Sequence, residues 1–158
     1  MRAITALVVS LGLAGPAVAG DAFVHVNATH GYAVESTRAA NRIHPSREHD
    51  THYRNAFIGR GGNMALTFEF MQRDGSPEQC APEQYIWRNE TPETFRTGMD
   101  QTGHWVWARG RDNYRLVKTI SRSDGCLKMQ MDFPASEVEV WSIIGHDLFE
   151  TFVDTKGR

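Results

Sequence analysis

The sequence predicts an all-β fold, an antiparallel β-barrel or sandwich with a long early loop and a short C-terminal helix. Short runs of alternating apolar residues recur along the chain, separated by Gly, Pro, Asn and Asp turn signals about every ten residues. Asp124-Gly125 sits between two β-forming runs spanning Asn113 to Phe133, a strong short-range hairpin signal. The stretch Ser36 to Asn55 is polar throughout, with six charged side chains around the aliphatic Ile43. It reads as a long loop, with one helical turn over Thr37 to Arg42.

The ends and the composition bound the problem. Arg2, the apolar run Ile4 to Ala14 and the small residues Ala17-Val18-Ala19 read as a secretory signal over residues 1–19. Residues 20–158 then form a single domain of a size that buries a core. No later stretch approaches the roughly 20 apolar residues of a spanning helix, so membrane insertion is not expected. The net charge of −2, with both signs interspersed, excludes a basic nucleic-acid surface. An extracellular or periplasmic location follows, and there a lone pair, Cys80 and Cys126, forms one disulfide in preference to a reactive thiol. Asn27-Ala28-Thr29 and Asn89-Glu90-Thr91 fit the glycosylation pattern.

In chain order, Phe23-Val24-His25-Val26 alternates as a first strand, with Val24 and Val26 opposite in facing to Phe23 and His25. A turn at His30-Gly31 leads into a continuation through Tyr32 to Val34. Met64 to Met71 is a strand with Met64, Leu66, Phe68 and Phe70 on one face and Thr67 and Glu69 on the other. Tyr85-Ile86-Trp87 is a short strand, and Asn89 to Thr102 is turn-rich, with a helical turn after Pro92. Gly103 to Arg109 contains His104-Trp105-Val106-Trp107-Ala108, an alternating strand with both indoles on one face.

In the central hairpin, a turn at Asp124-Gly125 places Ser123 opposite Cys126, Ile120 opposite Met129 and Leu116 opposite Phe133. Leu116, Ile120, Leu127, Met129, Met131 and Phe133 then share one apolar face. Val138 to Ile144 is the last strand. The helix follows, opened by Asp147 and Glu150 at capping-box spacing, with Leu148, Phe149, Phe152 and Val153 on one stripe.

A nearly closed antiparallel barrel with a C-terminal helix resembles the calycin architecture, to which lipocalins belong. Gly103-His104-Trp105 matches the lipocalin Gly-x-Trp pattern, which that family carries on its first strand and this chain carries past its middle. The resemblance implies an architecture, and no family residue is carried over.

Three groups are candidates for chemistry. Lys118 points with Leu116, Ile120 and Met131 to the apolar side, where an amine binds an anion or moves a proton. A register slip of one residue would turn it outward, and a lysine at a barrel mouth also snorkels. His44, His49, Asp50 and His52 have the spacing of zinc ligands but lack a rigid frame, and read as solvated loop residues. The aromatic and methionine inventory either fills the core or lines a cavity; Trp87, Trp105, Trp107, Phe68, Phe70, Leu116, Met129 and Met131 are the candidate lining.

The leading expectation is a secreted β-barrel that binds a small, largely apolar molecule in its interior, with no cofactor and no metal. An alternative is a cofactor-free isomerase or cyclase in which Lys118, with Tyr114 or a histidine, moves a proton. A third is a secreted interaction or effector protein with a packed core.

Overall fold

The computed structural model describes residues 22–48, 50–72, 78–87 and 91–156. The signal-like segment at 1–19, His49 and the Asn89 glycosylation pattern lie outside them. In chain order the elements are β1 (Phe23–Asn27), β2 (Tyr32–Ser36), β3 (Ile43–Pro45), β4 (Arg54–Gly59), β5 (Ala65–Met71), β6 (Thr94–Met99), β7 (His104–Arg109), β8 (Asn113–Arg122), β9 (Gly125–Pro134), α1 (Val138–Thr151) and β10 (Val153–Asp154). Short 3-10 turns at Pro82–Tyr85 and Ala135–Glu137 complete them.

These strands make two antiparallel sheets, seven strands in the order β3-β4-β5-β9-β8-β7-β6 and three in the order β1-β2-β10. The mostly-β, sandwich-like expectation holds, but the large sheet does not close into a barrel; β3 and β6 are its two edges. Closure is unnecessary because the apolar face is covered another way. Tyr32 and Val34 of β2 and Trp141, Ile144, Leu148 and Phe149 of α1 pack on Leu66, Phe68, Leu116, Leu127, Met129, Met131 and Phe133. Val106, Ala108, Val117 and Cys126 are buried on the opposite face, where the Pro82–Tyr85 turn packs on β7 and β8. The Cys80–Cys126 disulfide, Cα atoms 5.7 Å apart, ties the segment leading into that turn to β9.

The hairpin forms with its turn moved by one position. Arg122 pairs with Gly125, Ile120 with Leu127 and Leu116 with Met131, so Ser123 and Asp124 occupy the turn. Arg122 donates to both carboxylate oxygens of Asp124, closing the turn from the side. Gly125 takes φ +152° against the Met71 carbonyl, where a Cβ would collide. Each residue's partner shifts by two positions, and since facing repeats every two residues, every side chain keeps its expected face.

Several elements differ from expectation, among them β4, which covers residues read as loop and turn, and β10, which takes Val153 off the expected helical stripe. Val138 to Ile144 is the first half of a 14-residue helix, not a strand; its buried residues, Trp141, Ile144, Gly145, Leu148 and Phe149, follow the helical period. Asp147 and Glu150 therefore lie in the C-terminal half of the helix, and Asp147 accepts a hydrogen bond from Ser36 Oγ instead of capping. Tyr85-Ile86-Trp87 is not a strand, since Tyr85 closes the 3-10 turn. Thr94–Met99, read as turn-rich, is β6. The polar early stretch holds the three-residue β3, and its 37–42 portion is a run of turns closed by Ala40 N–H to Thr37 and Arg42 N–H to Ala39.

Candidate functional site

A shallow, open concavity lies outside the core, where α1 meets β7. Gly145 lets the helix descend onto β8: a Cβ there would stand 2.5 Å from Leu116 Cδ2. One strand over, Trp107 pairs with Leu116 and rises beside the helix, edge-on to Tyr114 at 6.0 Å. Between them opens a groove of about 370 Å³ lined by Arg38, Trp107, Ser142, Ile143, His146, Asp147 and Glu150. Ile143 is half exposed, and His146 Nδ1 sits 3.6 Å from Glu150 Oε1. The groove thus offers an indole and an aliphatic chain as walls and groups of both charge signs around them.

Lys118 is inside, as the facing pattern requires, with no accessible surface. Its ammonium donates to Asp100 Oδ2 (2.9 Å), Thr102 Oγ1 (2.5 Å) and the Phe149 carbonyl (2.5 Å). Three donors meet three acceptors, so no proton is left for a substrate. The amine fastens the β6–β7 turn to the C-terminal end of α1, where a helix dipole favours a cation. Partial burial pushes the Asp100 carboxyl upward, but hydrogen bonds from Lys118 and Thr102 outweigh it and hold the group below its ordinary value. A depressed carboxylate stabilises the fold above the pH at which an unfolded Asp titrates, about 4, and that contribution is lost as pH falls through the folded value.

The other candidate residues do not converge on one cavity. Phe68, Leu116, Met129 and Met131 have no accessible surface and form packed core, not a lined interior. Phe70 lies under His30, rings stacked at 5.2 Å. Trp105 and Trp107 flank the core, whereas Trp87 lies over the Arg115 guanidinium on the opposite sheet face. Tyr114 is stacked on Phe133 at 5.4 Å. His44 and His52 are solvent-exposed; among the described residues no cluster of three His, Cys, Asp or Glu groups has metal-ligand geometry.

A second polar cluster, which spacing does not reveal, joins the small sheet to the large one. Tyr32 Oη donates to Asn55 Oδ1 (2.7 Å), as does Asn27 Nδ2 (2.8 Å), and His25 Nε2 lies 3.2 Å from the same oxygen. Asn27 is thereby engaged in the fold. Burial lowers the His25 pKa, against the opposing effects of the hydrogen bond it donates to Asn55 Oδ1 and of the charge of Asp50. Burial likewise raises the Tyr32 phenol far above its ordinary value. The one sequence signal was an inward His opposite the outward Val24 and Val26.

Because His25 titrates lower in the folded chain, the fold binds fewer protons than the unfolded chain below about pH 6.5. Stability is expected to fall from pH 6.5 downward through the folded value, by at most about 1.4 kcal/mol per unit from this group. Denaturant titrations of wild type and His25→Gln check it. The variant's curve loses that component, and identical pH dependence in both proteins refutes it.

No protein-family model matches the chain, and no curated protein does. Among solved structures it is similar to the solution structure of cyanobacterial PsbP (CyanoP) from Synechocystis sp. PCC 6803. The TM-score is 0.61 at 7% identity, over 91% of this chain and 98% of that one. The fold is PsbP-like. At that identity the likeness is one of backbone, and the site residues rest on this chain's own geometry.

Proposed function

We propose that this is an exported, non-catalytic binding protein that takes a small molecule, with an apolar body and a charged group, into the groove between α1 and β7. The observation that carries the reading is the groove itself: Trp107 and Ile143 face the same space as Arg38, His146 and Glu150. Pockets of several hundred cubic ångströms that combine apolar walls with a few polar groups suit such ligands. The packed core supports a site at the surface over one in the interior. Export is supported by the signal-like N-terminal segment and by the disulfide. The isomerase or cyclase alternative is not carried forward, because the ammonium that motivated it is saturated.

The test uses 1-anilinonaphthalene-8-sulfonate, an aromatic body with one anionic group, as the probe. Saturable fluorescence enhancement is expected for the wild type, weakened about ten-fold in Ile143→Asp at unchanged Tm and near-ultraviolet circular dichroism. Absence of saturable binding, or equal binding by the variant, refutes the groove. An interaction role through the surface is a second reading, favoured by the exposure of nearly every residue of β6.

A further inference from the structure

The two edges of the large sheet are not alike. β3 is three residues long and ends at Pro45, the kind of edge that resists pairing. β6 is six residues long without proline, and among the described residues β7 is its one neighbour. Phe95 is 43% exposed and Met99 71%. A strand edge left open beside exposed apolar side chains is a template for another strand.

The ladder fixes which backbone groups are free. Asp100 N–H bonds the Gly103 carbonyl at the turn. The β6–β7 register pairs Gly98 with Trp105, Arg96 with Trp107 and Thr94 with Arg109. Hydrogen-bonded and open pairs alternate in an antiparallel ladder, so Gly98, Arg96 and Thr94 spend their backbone groups on β7. Phe95, Thr97 and Met99 direct theirs outward.

We propose that two copies of the chain pair antiparallel through β6, about a two-fold axis at Gly98, to make one continuous sheet. In this register Thr97 of one copy opposes Met99 of the other, and their outward groups exchange roughly four hydrogen bonds. Arg96 opposes Asp100 of the second copy and gains a counter-charge; it has no ion-pair partner among the described residues. Asp100 retains Lys118 and turns a shared carboxylate toward the axis. Gly98 meets Gly98 on the axis, and the space above each glycine is already roofed by the Trp105 ring. The two indoles extend one apolar strip across the junction, as aromatic rings do over edge glycines. Shifting the axis to Arg96 would set the two guanidinium groups opposite each other, which the chosen register avoids. The pairing is isologous and closes on itself, and it stands independently of the groove.

The test is sedimentation equilibrium on the wild-type protein, Arg96→Glu and Thr97→Pro. Thr97 sits where a proline spares the β6–β7 ladder and removes an outward donor. A dimer is expected in the wild type by about 100 µM, weakening as salt rises. Arg96→Glu places two acids in opposition and raises the dissociation constant about ten-fold at unchanged Tm. Thr97→Pro abolishes the dimer. A wild type that stays monomeric at all concentrations overturns the proposal and leaves the edge to an extended peptide of another protein. A dimer indifferent to Arg96→Glu overturns it equally, whether or not Thr97→Pro folds.

Discussion

Replacing Lys118 by methionine is expected to destabilise the protein by about 3 kcal/mol. The substitution keeps the aliphatic stem's volume, so packing against Leu116 and Ile120 is little changed. What goes is the ammonium, and with it three hydrogen bonds in a place without water. The Phe149 carbonyl is then left without its partner, and an unmet acceptor costs about 1–3 kcal/mol. Asp100, whose side chain is 38% exposed, recovers part of its loss through hydration, which keeps the total below the upper range for broken buried pairs. Asp100→Asn leaves a full charge buried beside a neutral amide, and the double variant should lose clearly less than the two single losses added together. Urea unfolding with unchanged m-value is the measurement. A loss under about 0.5 kcal/mol for Lys118→Met would mean that the clamp contributes no net stability.

Removing the disulfide is expected to cost more still. Cys80 and Cys126 close a loop with a sequence separation of 46, for which the chain-entropy relation gives about 4 kcal/mol. In a domain of this size that corresponds to a fall in Tm of roughly 12 °C. The Cys80→Ala, Cys126→Ala double variant and the wild type treated with reductant should unfold at the same temperature, because both act by freeing the same denatured chain. If the variant keeps the wild-type Tm, the loop is held by the packing of the Pro82–Tyr85 turn on β7 and β8, without help from the bond.

These expectations lean on features of unequal legibility. The faces of β5, β8 and β9 follow from alternation alone, and that alternation puts Lys118 inside. Partner assignment in the hairpin was harder, since turns at Ser123-Asp124 and at Asp124-Gly125 leave every facing unchanged. α1 was half hidden because Val138, Val140, Ile143 and Ile144 are β-branched, while the helical spacing of Trp141, Ile144 and Leu148 carried the stronger signal. β6 showed no alternation because both of its faces are largely exposed. The groove was illegible for another reason: Arg38, Trp107 and His146 are far apart in the chain, and Gly145 brings the helix down beside the indole only in the finished fold. That the interior is filled is a matter of volume, which residue identities such as Met129 and Met131 do not encode.

The clamp at Phe149 has a consequence for how the molecule is made. The ammonium of Lys118 leaves the ribosome some thirty positions before its last acceptor, and the helix that roofs Leu116, Met129 and Met131 emerges with that acceptor. Until then the apolar side of β8 and β9 lacks the cover that α1 gives it in the finished fold. Because α1 carries both the roof and the last acceptor, cover for the sheet and closure of the clamp are completed together, late in the order of the elements.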